Sequence, residues 1–181
     1  MLQLTIQLSP EGWDEKTEQF VEAKTQTLQL EHSLVSLSKW ESKWEKPFFS
    51  KAEKTYDEVL DYIKFMTISK NVDPIVYTRL SKANIQEINK YIEAPMTATT
   101  FAKDKNQSKN KEVITAELIY YWMIALNIPF ECQKWHLNRL LTLIRVCNIK
   151  NSPPKKMSKR DIASRNAQLN AARRKQLNTK G

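Results

Sequence analysis

Glycine is almost missing: the 181-residue chain holds two, Gly12 and Gly181, so no glycine-rich phosphate loop can form and nucleotide binding by that route is excluded. Cysteine is equally scarce. Cys132 and Cys147 are too few for a disulfide framework and fit a reducing compartment. No long apolar run exists either; the longest, Leu118 to Leu126, is about half of what a spanning helix needs, so no membrane span is expected. The start, MLQLTIQLSP, lacks the positive flank and continuous apolar segment of a signal peptide, which makes an intracellular protein the expectation.

What remains is 41% hydrophobic residues, enough for a real core in one domain plus an appendage. The net charge of +9 is unevenly placed. Lys155, Lys156, Lys159, Arg160, Arg165, Arg173, Arg174, Lys175 and Lys180 stand against Asp161 alone, so the end of the chain carries almost all of it. Asn151-Ser152-Pro153-Pro154 cannot continue a helix and marks a boundary, giving a body over 1–152 and a basic tail over 153–181. Ser158 is placed to cap a final helix from Ile162 to about Gln176, whose apolar stripe is only Ile162, Leu169 and Leu177. With so little to bury, this tail is expected to be helical or disordered, ordered by a partner.

Within the body, Leu2, Leu4, Ile6 and Leu8 alternate with polar residues as in a half-buried strand, and Pro10 and Gly12 stop it. A second alternation, Thr27 to Glu31, is suited to pair with it. Ser33 to Glu45 then switches to helical spacing with Leu34, Leu37, Trp40 and Trp44 near one side, ended by Pro47. Thr55 to Glu58 has capping-box spacing ahead of Val59, Leu60, Ile63 and Met66. Asp73-Pro74 opens a short helix over Ile75 to Leu80, and another runs from Ala83 to Glu93 with Ile85, Ile88 and Ile92 inward. Pro95 to Lys111 has no period and reads as a surface loop.

The centre of the chain is Thr115 to Ile149. Ala116 to Leu126 is apolar on every side apart from Glu117, so as a helix it is expected to be surrounded by other elements. Asn127-Ile128-Pro129 interrupts it. From Trp135 onward Leu137, Leu140, Leu141, Ile144 and Cys147 recur at helical spacing, which predicts a helical hairpin closed by a short turn. The expected class is mainly α (α+β): a small N-terminal β-hairpin, then a helical bundle around this central hairpin.

Chemistry-bearing residues are few. Cys132 and His136 are four apart, a spacing that suggests metal, but zinc wants about four ligands and only Cys147 and His32 are spare. A hydrogen-bonded core histidine is the simpler reading, and no cofactor is expected. Cys147 falls on the buried face with no base nearby in sequence, and Glu117 in a first helical turn is explained by the helix dipole. The chain therefore reads as no enzyme. Trp135, Arg139, Thr142, Val146 and Ile149 gather opposite the Leu137/Leu140/Ile144 face; they form either an anchor for another subunit or the second side of a fully buried helix. The basic tail is suited to phosphate contact, although it has no aromatic residue to stack on bases.

At SLVSLSKWESKWEKPFF (33–49), INKYIEAPMTATTF (88–101) and the stretch from ECQKWHLNRLLTLIRVCNIK to RRKQLNTKG (131–181), the sequence resembles a family of small proteins of tailed bacteriophages, the tail assembly chaperones. The resemblance implies a non-enzymatic morphogenesis factor in the host cytoplasm. Such a factor binds the long tape measure protein, keeps it soluble, helps recruit tail tube protein, self-associates, and leaves before the virion is complete. Many members exist in a short and a frameshifted long form. Two alternatives stay open: a structural virion protein, at the head–tail joint or in the tail, and a nucleic-acid-binding protein acting through the basic tail.

Overall fold

The strand pattern at the N-terminus folds back on itself. In a computed structural model, which describes residues 1–14, 18–101, 113–152 and 159–179, β1 (Leu2–Ser9) is followed by a short hairpin, β2 (Gly12–Asp14) with β3 (Gln19–Val21), and then by β4 (Lys24–Leu30). β1 and β4 pair antiparallel in the register Leu2↔Leu30, Gln3↔Gln29, Thr5↔Thr27. Period-two alternation puts Leu4, Ile6, Leu8, Leu28 and Leu30 on the buried face and leaves Gln3, Thr5 and Gln7 in solvent. The β2–β3 hairpin lies outside the sequence expectation; it pairs Trp13 with Phe20, both about 60% exposed (63% and 62%).

Helices follow with the caps their sequences supply. α1 (Leu34–Trp44) starts at Ser33, whose hydroxyl accepts the Ser36 N–H while Ser36 returns a bond to the Ser33 backbone. α2 (Tyr56–Met66) has the foreseen box: Thr55 Oγ1 accepts from Glu58 N, and Glu58 Oε2 accepts from Thr55 N at 2.8 Å. α3 (Ile75–Thr78) is opened by Asp73, whose carboxylate accepts the Ile75 N–H at 3.0 Å. α4 (Lys82–Glu93) buries Ile88 and Tyr91. Then come α5 (Ala116–Ala125), a 3-10 turn over Phe130–Lys134, α6 (Leu137–Asn151) and α7 (Lys159–Leu177). With glycine so scarce, left-handed backbone is taken up by other residues, Asn71, Asn127 and Asn178 among them, asparagine being the side chain that tolerates it best, and by Glu45 at the end of α1.

Two apolar clusters form the interior, and α1 contributes to both. Trp40, fully buried, joins the sheet face, Tyr62, Ile63, Met66 and Ile88, and its indole donates to the Glu58 carbonyl at 2.8 Å. Leu34 and Leu37 instead join Ile119, Met123, Leu137, Leu140 and Ile144. Each fully buried aliphatic side chain contributes about 1.5–3 kcal/mol, so both halves depend on α1 for cohesion. The expected hairpin needs two amendments. The link from α5 to α6 is not a tight turn but includes the 3-10 segment, and Trp135 precedes α6. α5 is also not enclosed: Glu117, Tyr121, Ile124 and Ala125 share an open face, because α1 covers only the Ala116/Ile119/Met123 side.

The chain forms two compact units, Met1–Asn148 and Ile149–Gly181. In the second, α7 buries no side chain at all. Among the described residues, no helix is long and apolar enough to cross a membrane.

Candidate functional site

The outer face of α5 leaves large apolar side chains open to solvent. Tyr121 is 63% exposed and Ile124 61%, one helical turn apart, and Phe130 follows at 52% on the 3-10 turn. Phe130 lies beside Tyr120 at 6.5 Å between rings, and the Tyr120 hydroxyl donates to Gln133 Oε1 at 2.9 Å, which fixes the 3-10 turn against the helix. Burial, and secondarily the Glu117 carboxylate, push the Tyr120 phenol upward, so it stays a donor. At the N-terminus of α5 a groove of about 300 Å³ is lined by Glu41, Glu45, Glu117 and Lys46 among others.

Glu41 holds this helix in place. It is buried in α1, and its two oxygens accept the Phe48 N–H and the Ala116 N–H, each at 2.7 Å. Ala116 N is one of the first-turn donors that a helix cannot satisfy internally, so a carboxylate from α1 caps α5 from outside. Nothing in the sequence around Glu41 marks it out from the exposed glutamates nearby.

The second surface is the one expected around α6. Trp135 is half-buried, and the exposed Arg139 guanidinium stacks over its ring at 4.3 Å. Thr142 and Val146 are half-buried, and the Thr142 hydroxyl donates back to the Asn138 carbonyl at 2.8 Å. Ile149, 54% exposed, belongs to the second compact unit. Of the basic residues of the tail, Lys159, Arg160, Arg165, Arg173, Arg174 and Lys175 lie on α7 with exposed side chains; Lys155, Lys156 and Lys180, with Ser158, expected as a cap, fall outside the described residues.

Neither surface contains the residues weighed as ligands. Both histidines are interior, 2% and 5% exposed, and adjacent, with ring centroids 5.1 Å apart. Leu137 N donates to the His32 carbonyl at 2.7 Å, and this bond brings the two together. His32 Nδ1 shares a 2.5 Å hydrogen bond with the Tyr62 hydroxyl. His136 Nε2 donates to the Tyr91 carbonyl at 3.0 Å, and its Nδ1 accepts the Asn138 N–H, so both ring nitrogens are engaged and the ring is the neutral Nε2–H form. Asn138 Nδ2 adds bonds to the Ile92 and Ala94 carbonyls, each 2.9 Å. The start of α6 thus satisfies carbonyls at the end of α4 that the helix leaves open. Burial, and next the neighbouring His136, push His32 down to about 3. His136 is also lowered, by burial, against the opposing pull of the Tyr91 carbonyl and Glu31. Cys132 is buried, Cys147 half-buried, and Glu117 faces solvent on α5. Among the described residues, no three His, Cys, Asp or Glu side chains converge as a metal site would require.

No protein-family model, curated protein or solved structure matches the chain.

Proposed function

We propose that the chain is a non-enzymatic morphogenesis factor of the tail-assembly-chaperone kind: a self-associating protein that shields an apolar helical stretch of a tape measure protein and helps bring tail tube subunits to it. The observation that carries this reading is the open face of α5, where Tyr121, Ile124 and Phe130 are all more than half exposed. Rigid aromatic and aliphatic side chains on a fixed helix suit helix-in-groove or helix-on-helix binding. The phage resemblance of the sequence supplies the partner's identity. The two histidines, His32 and His136, are instead enclosed and hydrogen-bonded, to the Tyr62 hydroxyl and the Tyr91 carbonyl respectively. Co-expression with tape measure fragments tests the proposal. The wild-type chain should keep the fragment soluble and co-elute with it, and the Tyr121→Ser/Ile124→Ser variant should lose both while keeping its circular dichroism. A wild-type chain that leaves the fragment insoluble overturns the reading.

A second reading rests on α7, a helix whose bases all face solvent. A role in nucleic-acid binding predicts affinity that falls steeply with salt and disappears when 155–181 is deleted. A structural role in the particle is separated from both by mass spectrometry of purified virions, in which a chaperone is absent and a component present at fixed copy number.

A further inference from the structure

The two edges of the N-terminal sheet are treated differently. Beyond β4, the segment after α2 closes the edge: Glu31 N donates to the Met66 carbonyl and Ile68 N to the Gln29 carbonyl, each at 2.9 Å, and Gln29 N donates to Ser69 Oγ at 2.8 Å. Those bonds also fix which way β1 points. Gln29 turns its own N–H and C=O away from β1, so Gln3, directly opposite, turns its pair away from β4. By strict alternation Thr5 and Gln7 do the same. Each of these three residues therefore presents one N–H and one C=O at the outer edge of β1, and none of those groups has a hydrogen-bond partner among the described residues.

Edge strands are ordinarily guarded by a charge, an internal proline or a bulge in mid-strand. β1, LQLTIQLS, has no charged residue and no proline, and its irregularity lies at the far end, between Gln7 and Ser9. Its outward residues are moreover symmetric about Thr5: glutamine, threonine, glutamine.

We propose that β1 pairs antiparallel with β1 of a second copy, on a two-fold axis through Thr5. Thr5 then exchanges both main-chain bonds with Thr5 of the second copy, and Gln3 does so with its Gln7. The exposed face sets threonine beside threonine and glutamine beside glutamine, the same matching that the molecule already uses internally, where Thr5 Oγ1 meets Thr27 Oγ1 at 3.2 Å and Gln3 stands opposite Gln29. The outward residues read the same in both directions about Thr5, so a second copy running antiparallel meets each of them with its like, which is what selects a second copy as the occupant. Joining the edges makes one continuous sheet from two. The inference gives the self-association in the chaperone reading a surface, but it uses no feature of α5 or of the tail, so the tape measure solubility test of the α5 face succeeds or fails independently of it.

A single strand pair buries less than a standard interface of about 1,600 Å², so association in the micromolar range is expected. Sedimentation equilibrium of the purified full chain, from about 1 to 300 µM, reads that range directly. The wild type should dimerise. Thr5→Pro should raise the dissociation constant at least tenfold, because it removes an N–H at the outer edge and none from the β1–β4 ladder. Thr5→Lys, which leaves the backbone unchanged and opposes two ammonium groups on the axis, should do the same. Both variants should keep the wild-type circular dichroism, and the wild-type unfolding midpoint at concentrations where the wild type is monomeric. Under mild oxidation Thr5→Cys should yield a cross-linked dimer through residue 5. A wild type that stays monomeric across the range overturns the proposal, leaving the edge to a different chain. A dimer unaffected by both Thr5→Pro and Thr5→Lys overturns it too, placing the contact elsewhere.

Discussion

Lowering the pH should unfold this protein through its two histidines before its carboxylates matter. His32 is held down to about 3, from an ordinary 6.5, by burial and by His136 beside it. Around it stand the Tyr62 hydroxyl and the His136 ring; further off, the Tyr91 hydroxyl donates to Glu31, which also holds the Met1 amine at 3.0 Å. None of these offers His32 a carboxylate of its own. A depressed histidine binds its proton more readily when the chain is unfolded. Its stabilising contribution is therefore complete above 6.5 and is lost as the pH falls towards about 3. At 1.36 kcal/mol per pH unit, the full gap is worth about 5 kcal/mol, of which about 2 kcal/mol disappears between pH 7 and pH 5. His136, lowered as well, adds to the slope in the same direction. Glu58 is shifted below its ordinary value too, chiefly by its bond from Lys46 and the Thr55 N–H, but a depressed carboxylate loses its contribution only below the usual carboxylate range. Urea unfolding at pH 7, 6 and 5 isolates the histidines, and His32→Asn, which keeps a neutral polar group near Tyr62, should remove about 2 kcal/mol from the pH 7 to 5 difference. Proton NMR of the two imidazoles provides a second reading, with His32 remaining neutral at pH 5 in the folded state. Equal slopes for wild type and variant, or a His32 titration near 6.5, refute the reasoning.

Two further outcomes follow from single positions. Glu41→Ala leaves the Phe48 and Ala116 N–H groups without their acceptor and should cost about 2–4 kcal/mol in urea unfolding, well beyond the change at an exposed glutamate such as Glu53. Glu45 ends α1 with φ 52°, a left-handed conformation that favours glycine, so Glu45→Gly should stabilise the chain by about 0.5–1 kcal/mol, read as a raised thermal midpoint.

The strands and most helices could be read from the sequence because their signals are local. Leu2 to Leu8 alternates, Thr55 and Glu58 form a reciprocal cap, and Asp73-Pro74 opens a helix; each needs only neighbours within a few residues. The β2–β3 hairpin escaped notice because three-residue strands carry no period. The histidine pair escaped for a different reason. His32 and His136 lie at opposite ends of the fold's sequence, and their meeting depends on a main-chain bond from Leu137 to His32, which no side-chain pattern encodes. Glu41 is of the same kind: its role is set by Phe48 and Ala116 presenting N–H groups, and every residue presents one.

α5 shows where hydropathy stops being informative. Apolarity on every side says that a helix is to be buried, and leaves open by what. Ala116, Ile119 and Met123 are covered by this chain's own α1 and α6 residues, while Tyr121 and Ile124, no less apolar in the sequence, are left in solvent. A solitary exposed apolar residue needs no explanation, but Tyr121 and Ile124 share one helical face, with Phe130 exposed on the 3-10 turn that follows. On the proposed reading, the open side of α5 and the partner site are one feature: a bound partner supplies the cover that α1 and α6 leave out.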